Sequence, residues 1–200
     1  MDIFKYGQKE IEYLKRKDKK LGAAIDKIGM IERRIIPDPF TALVSNIVGQ
    51  QISSKAAETV WNRLCNLLGN ITPESIAEAS LSDIQGCGMT LRKAGYIKGI
   101  ADVAISGEVN FDILHTLSDD EIIKKLTSLN GVGVWTAEMV LFFSLCRPDV
   151  VSYEDLAIRR GMMKLYGLKE LTKEKFNRYR KRYSPYGSVA SLYLWALSVL

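Results

Sequence analysis

Apolar residues recur at helical spacing along almost the whole chain, and no convincing run alternates at the two-residue period of a strand. Asp38-Pro39 opens an apolar helix through Phe40, Leu43, Val44, Ile47 and Val48. Ser53 is placed to cap a second helix over 55–68, with Val60, Trp61, Leu64 and Leu68 on one face and Gly69-Asn70 at its end. Thr72-Pro73-Glu74 starts a short helix to Ala79, Ser82 can start another, and 89–105 carries Leu91, Ala94, Ile97, Ile100 and Val103 in register. Ser118 followed by Asp119, Asp120 and Glu121 reads as an N-cap with carboxylates in the first turn, where the helix dipole favours negative charge. That helix is predicted to reach Ser128, break at Asn130-Gly131-Val132-Gly133 and restart over 134–145. Further helices are predicted over 155–166, over 173–183 behind Thr172, and after Ser184-Pro185 to the end. The pattern predicts an all-α fold of about ten helices. It leaves open whether residues 1–35 form an ordered element or a basic arm.

Composition narrows the class. Two hundred residues with 47% hydrophobic and 26% charged side chains and a net charge of +5 exclude disordered, collagen-like and membrane classes. The first 20 residues mix both charge signs without an apolar core, unlike a secretory signal. The stretches 132–146 and 189–200 are interrupted by Glu138 or are too short for a bilayer, which needs about 20 residues. Three widely spaced cysteines, Cys65, Cys87 and Cys146, read as reduced thiols of a cytosolic protein. Basic residues outnumber acidic ones ten to seven in 1–40 and eight to two in 161–200, and are outnumbered ten to fourteen between. The densest run, KEKFNRYRKR at 173–182, reads either as a solvated helix face or as a source of phosphate contacts. His115 has no second histidine or nearby cysteine, and no zinc-ligand spacing occurs.

Leu129-Asn130-Gly131-Val132-Gly133-Val134-Trp135-Thr136-Ala137 fits L-x-G-x-G-x-x-T-A between two helices. Glycines two apart allow a tight turn and leave amide N–H groups at a helix N-terminus open to an anion. A plain helical corner would also accommodate a lone G-x-G; the flanking Leu, Thr-Ala and helices favour the anion site.

This segment resembles the hairpin of the helix-hairpin-helix DNA glycosylases, which carry an essential Asp about 20 residues on; here Asp155 stands in that place. Ile47-Val48-Gly49-Gln50-Gln51-Ile52-Ser53 and Lys181-Arg182-Tyr183-Ser184-Pro185-Tyr186-Gly187-Ser188 also match, and Gly88-Met89-Thr90-Leu91-Arg92-Lys93-Ala94 is similar to the alkylpurine branch, 3-methyladenine DNA glycosylase II. The resemblance spans roughly 36–200. Asn130 replaces the usual hairpin proline, no four-cysteine cluster follows the last predicted helix, and neither an iron–sulfur module nor an added N-terminal β-domain is expected.

The resemblance implies two helical lobes, 36–139 centrally and 1–35 with 140–200 terminally, with the active-site cleft between them. It implies a partner, double-stranded DNA containing damaged bases, bound through the amides of Gly131, Gly133, Val134 and Thr136. Asp155 is the implied catalytic residue; a helix N-cap is its other reading, compatible with the first. Gln51, with Gln50 beside it, matches the wedge that fills the space of an extruded base, or else forms a polar turn. Trp135 stands where bifunctional members carry their lysine, so base removal without strand cleavage is expected. Trp135, Trp195 and Met139 match base-pocket positions, where aromatic faces could bind a cationic alkylated base; core packing is the alternative. Carbonyls of Thr127, Leu129 and Val132 could hold a structural Na+ or K+; no other cofactor and no iron–sulfur cluster is expected. The implied protein is a monomer of the prokaryotic cytoplasm and nucleoid, or of a eukaryotic nucleus. A glycosylase for deaminated or oxidised purines, or a DNA-binding module without catalysis, stays open beside the alkylpurine reading.

Overall fold

A computed structural model describes residues 2–200. The fold is all-α, as the periodicity predicts: about 65% helix and no strand among the described residues. In chain order the helices are α1 (Gln8–Lys17), α2 (Lys19–Ile28), α3 (Pro39–Gly49), α4 (Ser54–Leu68), α5 (Pro73–Glu78), α6 (Leu81–Gly86), α7 (Leu91–Ile105), α8 (Asp119–Thr127), α9 (Val134–Phe143), α10 (Leu156–Tyr166), α11 (Lys173–Tyr183) and α12 (Gly187–Val199). A 3-10 turn, Leu114–Thr116, precedes α8. None of these helices is long and apolar enough to cross a membrane.

Local chemistry sets the boundaries. Side chains of Asp38, Ser53, Thr72, Ser80, Thr90, Ser118 and Thr172 each accept a backbone N–H three residues on, capping the helix they precede. At α8 the cap is reciprocal: Glu121 accepts the Ser118 N–H at 2.8 Å, so the acidic triplet is structural. The helix expected from Ser82 starts at Leu81, because Ser80 is the better-placed cap. That expected from 89 starts at Leu91, because Gly88 turns at φ +108° and Thr90 caps.

The chain divides into two compact units, Met1–Ile35 with Cys146–Leu200, and Ile36–Leu145. The second boundary falls at 145/146 and not at 139/140, because α9 continues to Phe143 and closes with the Ser144 and Leu145 N–H groups on the Val140 carbonyl. In the central unit α3 packs on α9 and α4, α5 and α6 on α7, and α8 on α9, burying Leu43, Ile47, Leu64, Ile97, Leu126 and Phe142. In the terminal unit α10 and α12 form the most extensive helix pair, with α2 against both, over Leu21, Met162, Phe176, Tyr183 and Leu192.

Residues 1–35, open in the sequence, contribute two ordered helices to the terminal unit. Leu14 and Leu21 enter its core, and the N-cap of α2, Asp18, is buried there. The Asp18 carboxylate accepts from the Leu21 N–H at 3.0 Å, the Tyr166 hydroxyl at 2.6 Å and the Arg182 guanidinium at 3.0 Å. Burial alone raises the pKa of such a group, but these three donors outweigh it and hold Asp18 below the usual carboxylate range.

Candidate active site

In the terminal unit, Asp155 is the N-cap of α10. Its Oδ1 accepts the Ala157 and Ile158 N–H groups at 2.8 and 2.9 Å. Its Oδ2 accepts the indole N–H of Trp195 in α12 at 3.2 Å. Only 7% of Asp155 is exposed, whereas the neighbouring Glu154 is exposed, which separates the two adjacent carboxylates.

Two features bring α12 to Asp155. A Cβ on Gly161 would lie 1.9 Å from the Leu194 carbonyl oxygen, so only glycine lets the backbones of α10 and α12 meet one residue before Trp195. Upstream, the segment leading to Asp155 is laced to the start of α12. Val150 N–H donates to Ser188 Oγ at 2.9 Å, Ser188 N–H to the Pro148 carbonyl at 2.9 Å, and Ser191 Oγ to the Val150 carbonyl at 2.8 Å. The Lys181–Ser188 stretch singled out in the sequence therefore serves partly to fix this approach.

The second face of the arrangement comes from a residue that sequence reasoning missed. The guanidinium of Arg33 lies over the Trp195 ring, 5.5 Å from its centroid. One indole face thus carries the protein's own cation, which the expectation of an open aromatic face at Trp195 did not include. In sequence Arg33 is one of a Glu-Arg-Arg run and carries no signal of this placement.

The basic run at 173–182 is partly engaged within the same unit. Arg182 pairs with Asp18 and lies 4.9 Å from the Tyr179 ring centroid; Lys173 and Arg159 flank the ring of Tyr153 at 5.6 and 5.1 Å.

The central unit holds the hairpin between α8 and α9, and its two glycines have different reasons. Gly131 turns at φ +83°, and a Cβ there would sit 2.2 Å from the Tyr96 ring. Gly133, the N-cap of α9, has φ −92° and ψ 174°, which any residue adopts, and a Cβ there would meet nothing within 4 Å. No contact within the protein calls for glycine at Gly133; Val134 beside it is exposed, whereas Thr136, the third residue of α9, is buried.

Gln50 and Gln51, paired as wedge candidates, separate here. Gln50 Nε2 donates to the Gly131 carbonyl and the Thr136 hydroxyl, both at 3.1 Å, so this side chain braces the end of α3 to the hairpin. Gln51 is exposed with φ +59°, a left-handed backbone costly for a residue with a Cβ. Lys93 anchors the turn from beneath, donating to the Val48 and Gln50 carbonyls at 2.9 and 2.5 Å. Trp135, half-buried, and Met139, buried, lie one turn apart on α9.

The helix-hairpin-helix DNA repair model described as "HhH-GPD superfamily base excision DNA repair protein" matches residues 44–185, spanning both the hairpin and Asp155. The chain belongs to the HhH-GPD superfamily. It is 36% identical over 168 residues to DNA-3-methyladenine glycosylase 1 of Schizosaccharomyces pombe, covering 82% of this chain and 74% of that protein. Among solved structures, a DNA-3-methyladenine glycosidase of Bacillus halodurans superposes with a TM-score of 0.84 at 36% identity, over 99% of this chain and 93% of the other. The S. pombe 3-methyladenine DNA glycosylase in complex with abasic DNA superposes with 0.88 at 32% identity, over 96% and 98%. Within the HhH-GPD frame, the structure gathers Asp155 with Trp195 and Arg33 in one unit, and the hairpin with Gln50, Gln51, Trp135 and Met139 in the other.

Proposed function

We propose that this chain is a monofunctional DNA glycosylase of base excision repair that removes alkylated purines of the 3-methyladenine type. The observation that carries the reading is the Asp155 carboxylate, held by three N–H donors in the family's catalytic place. It suits the reaction. Breaking the bond between C1′ and the purine nitrogen builds positive charge on the sugar, and a fixed carboxylate stabilises that charge while water adds to C1′. The base leaves with the bonding electron pair, the water's proton passes to solvent or the departing base, and an abasic site remains. Bases already cationic from ring-nitrogen alkylation leave without a general acid.

Phosphate is taken by the open backbone at Gly133 and the amides of Val134 and Thr136, and Gln51 enters the space of the extruded base. The carbonyls of the hairpin are of the kind that would take a Na+ or K+. The Thr127 carbonyl ends α8 without an intrahelical acceptor role, and the Leu129 carbonyl, which receives the Val132 N–H at 3.2 Å, keeps a second lone pair. With the Val132 carbonyl these would hold the ion, which supplies positive charge for a DNA phosphate. Trp135 provides no amine for a Schiff base, and the protein acts as a monomer.

The test is base release from duplexes bearing defined lesions, followed with and without hot alkali. Methylated purine release with strand breaks only after alkali supports the proposal. Strand cleavage without alkali overturns the monofunctional reading, and binding without release from any lesion leaves a DNA-binding module.

A further inference from the structure

We propose that Arg33 is a positioning residue for this reaction, acting on Asp155 through the indole of Trp195; the inference rests on the reading of Asp155 given above. The first observation is the relay: the Arg33 guanidinium sits 5.5 Å from the Trp195 ring centroid, and the Trp195 N–H donates to Asp155 Oδ2 at 3.2 Å. Trp195 stands one turn before the end of α12, where Val199 and Leu200 are strongly exposed, and is itself only half-buried. A guanidinium on the indole face at this helix end adds to the packing around the ring and favours the rotamer that aims its N–H at the carboxylate.

The second observation is how firmly the chain holds Arg33 for that task. Phe4 N–H donates to the Arg33 carbonyl at 2.8 Å, Ile35 N–H donates to the Asp2 carbonyl at 3.0 Å, and Ile3 and Arg34 form an antiparallel bridge. Just upstream, the Tyr6 hydroxyl accepts the Ile31 N–H at 2.7 Å and donates to the Ile31 carbonyl at 2.9 Å. The Tyr193 hydroxyl, two residues before Trp195 on α12, donates to the Gly29 carbonyl at 3.1 Å. The segment carrying Arg33 is thus pinned on both sides and tied to the helix that carries the indole. Burial lowers the Arg33 pKa, but a guanidinium stays charged throughout the working pH range.

A cation on one face of an indole does two things. It fixes the ring plane by cation–π attraction, and it draws electron density from the ring, making the N–H a stronger donor to Asp155 Oδ2. Both act on the carboxylate's geometry and neither requires Arg33 to touch DNA.

The experiment is a double-mutant cycle on single-turnover base release from a duplex with one 7-methylguanine, using Arg33→Met, Arg33→Lys, Trp195→Phe and Arg33→Met/Trp195→Phe. Arg33→Met is expected to lower the release rate about 10-fold with unchanged DNA affinity, and Arg33→Lys to recover part of it. In the Trp195→Phe background, which lacks the N–H, Arg33→Met is expected to change the rate less than 2-fold. A full 10-fold loss in that background, or a loss of DNA affinity in place of rate, overturns the proposal. Acrylamide quenching of Trp195 fluorescence, with Trp61 and Trp135 replaced by Phe, gives a readout independent of activity. Greater accessibility in Arg33→Met at unchanged melting temperature supports the relay, and equal accessibility overturns it. A wild-type protein that releases no base from any lesion overturns the proposed function instead, and the quenching arm then decides the role of Arg33.

Discussion

The α-carbon of Gly161 faces the carbonyl of Leu194 so closely that a single added methyl would lie 1.9 Å from the oxygen. This contact sets the separation of α10 and α12, and with it the bond between Asp155, before the first residue of α10, and Trp195. Gly161→Ala is expected to destabilise the protein by about 3 kcal/mol through backbone displacement and to impair base release even at temperatures where the chain stays folded. Thermal melting and single-turnover release measured together check both parts.

The observed cap and the proposed catalytic role of Asp155 can be separated by substitution. Asn caps a helix as well as Asp does, whereas Ala does not. Asp155→Asn is therefore expected to keep a near-wild-type melting temperature while losing at least about 100-fold in base release. Asp155→Ala is expected to lose the same activity and about 1 kcal/mol of stability in addition.

The hairpin glycines should fail in opposite ways. Gly131→Ala forces a Cβ into the Tyr96 ring at a positive φ, and is expected to cost stability. Gly133→Val meets no protein atom near its Cβ, so a stability loss of no more than about 1 kcal/mol is expected together with weaker DNA binding. Denaturant titration and fluorescence anisotropy on duplex DNA distinguish the two; unchanged affinity of Gly133→Val would remove the backbone phosphate site.

The two glutamines give a parallel contrast. Gln50→Ala leaves the Gly131 carbonyl and Thr136 hydroxyl without their donor and is expected to cost about 1–2 kcal/mol. Gln51→Gly relieves a left-handed backbone and is expected to raise stability by up to about 1 kcal/mol while slowing base extrusion. A 2-aminopurine reporter beside the lesion follows the extrusion step.

Asp18 makes the terminal unit acid-sensitive. Its folded pKa lies below the unfolded value of 3.8, so its contribution is complete above that value and is lost as pH falls through the folded one. Asp18→Asn is expected to lower stability by about 2 kcal/mol at neutral pH, with the gap to wild type closing below pH 3.8. Urea unfolding across that pH range measures it.

Most of what the sequence disclosed followed from local rules. Caps such as Ser53, Ser118 and Thr172 announce themselves within three residues, whereas Asp155 is singled out by the family resemblance of the hairpin and not by a local rule. Relationships set by tertiary packing were not legible. Nothing near Gly161 in the sequence points to Leu194, and nothing near Arg33 points to Trp195. The separate roles of Gln50 and Gln51 depend on a backbone angle that two identical adjacent side chains cannot reveal. Residues 1–35 read as a basic arm as readily as a lobe element because their charged positions outnumber the apolar ones, Phe4, Ile11, Leu14, Leu21 and Ile25, that are buried in the terminal unit.

The make-up of the terminal unit also orders the life history of the chain. Residues 36–145 are contiguous and can form their core while later residues are still being synthesised, but Gly29 and Tyr193, which share a hydrogen bond, are 164 positions apart. The loop that this contact closes encloses the entire central unit, and its closure entropy is smallest once that unit is already compact. The carboxylate, indole and guanidinium thus come together only after α12 has emerged, so a ribosome-bound chain carries a finished hairpin before it carries the assembled cluster of Asp155, Trp195 and Arg33.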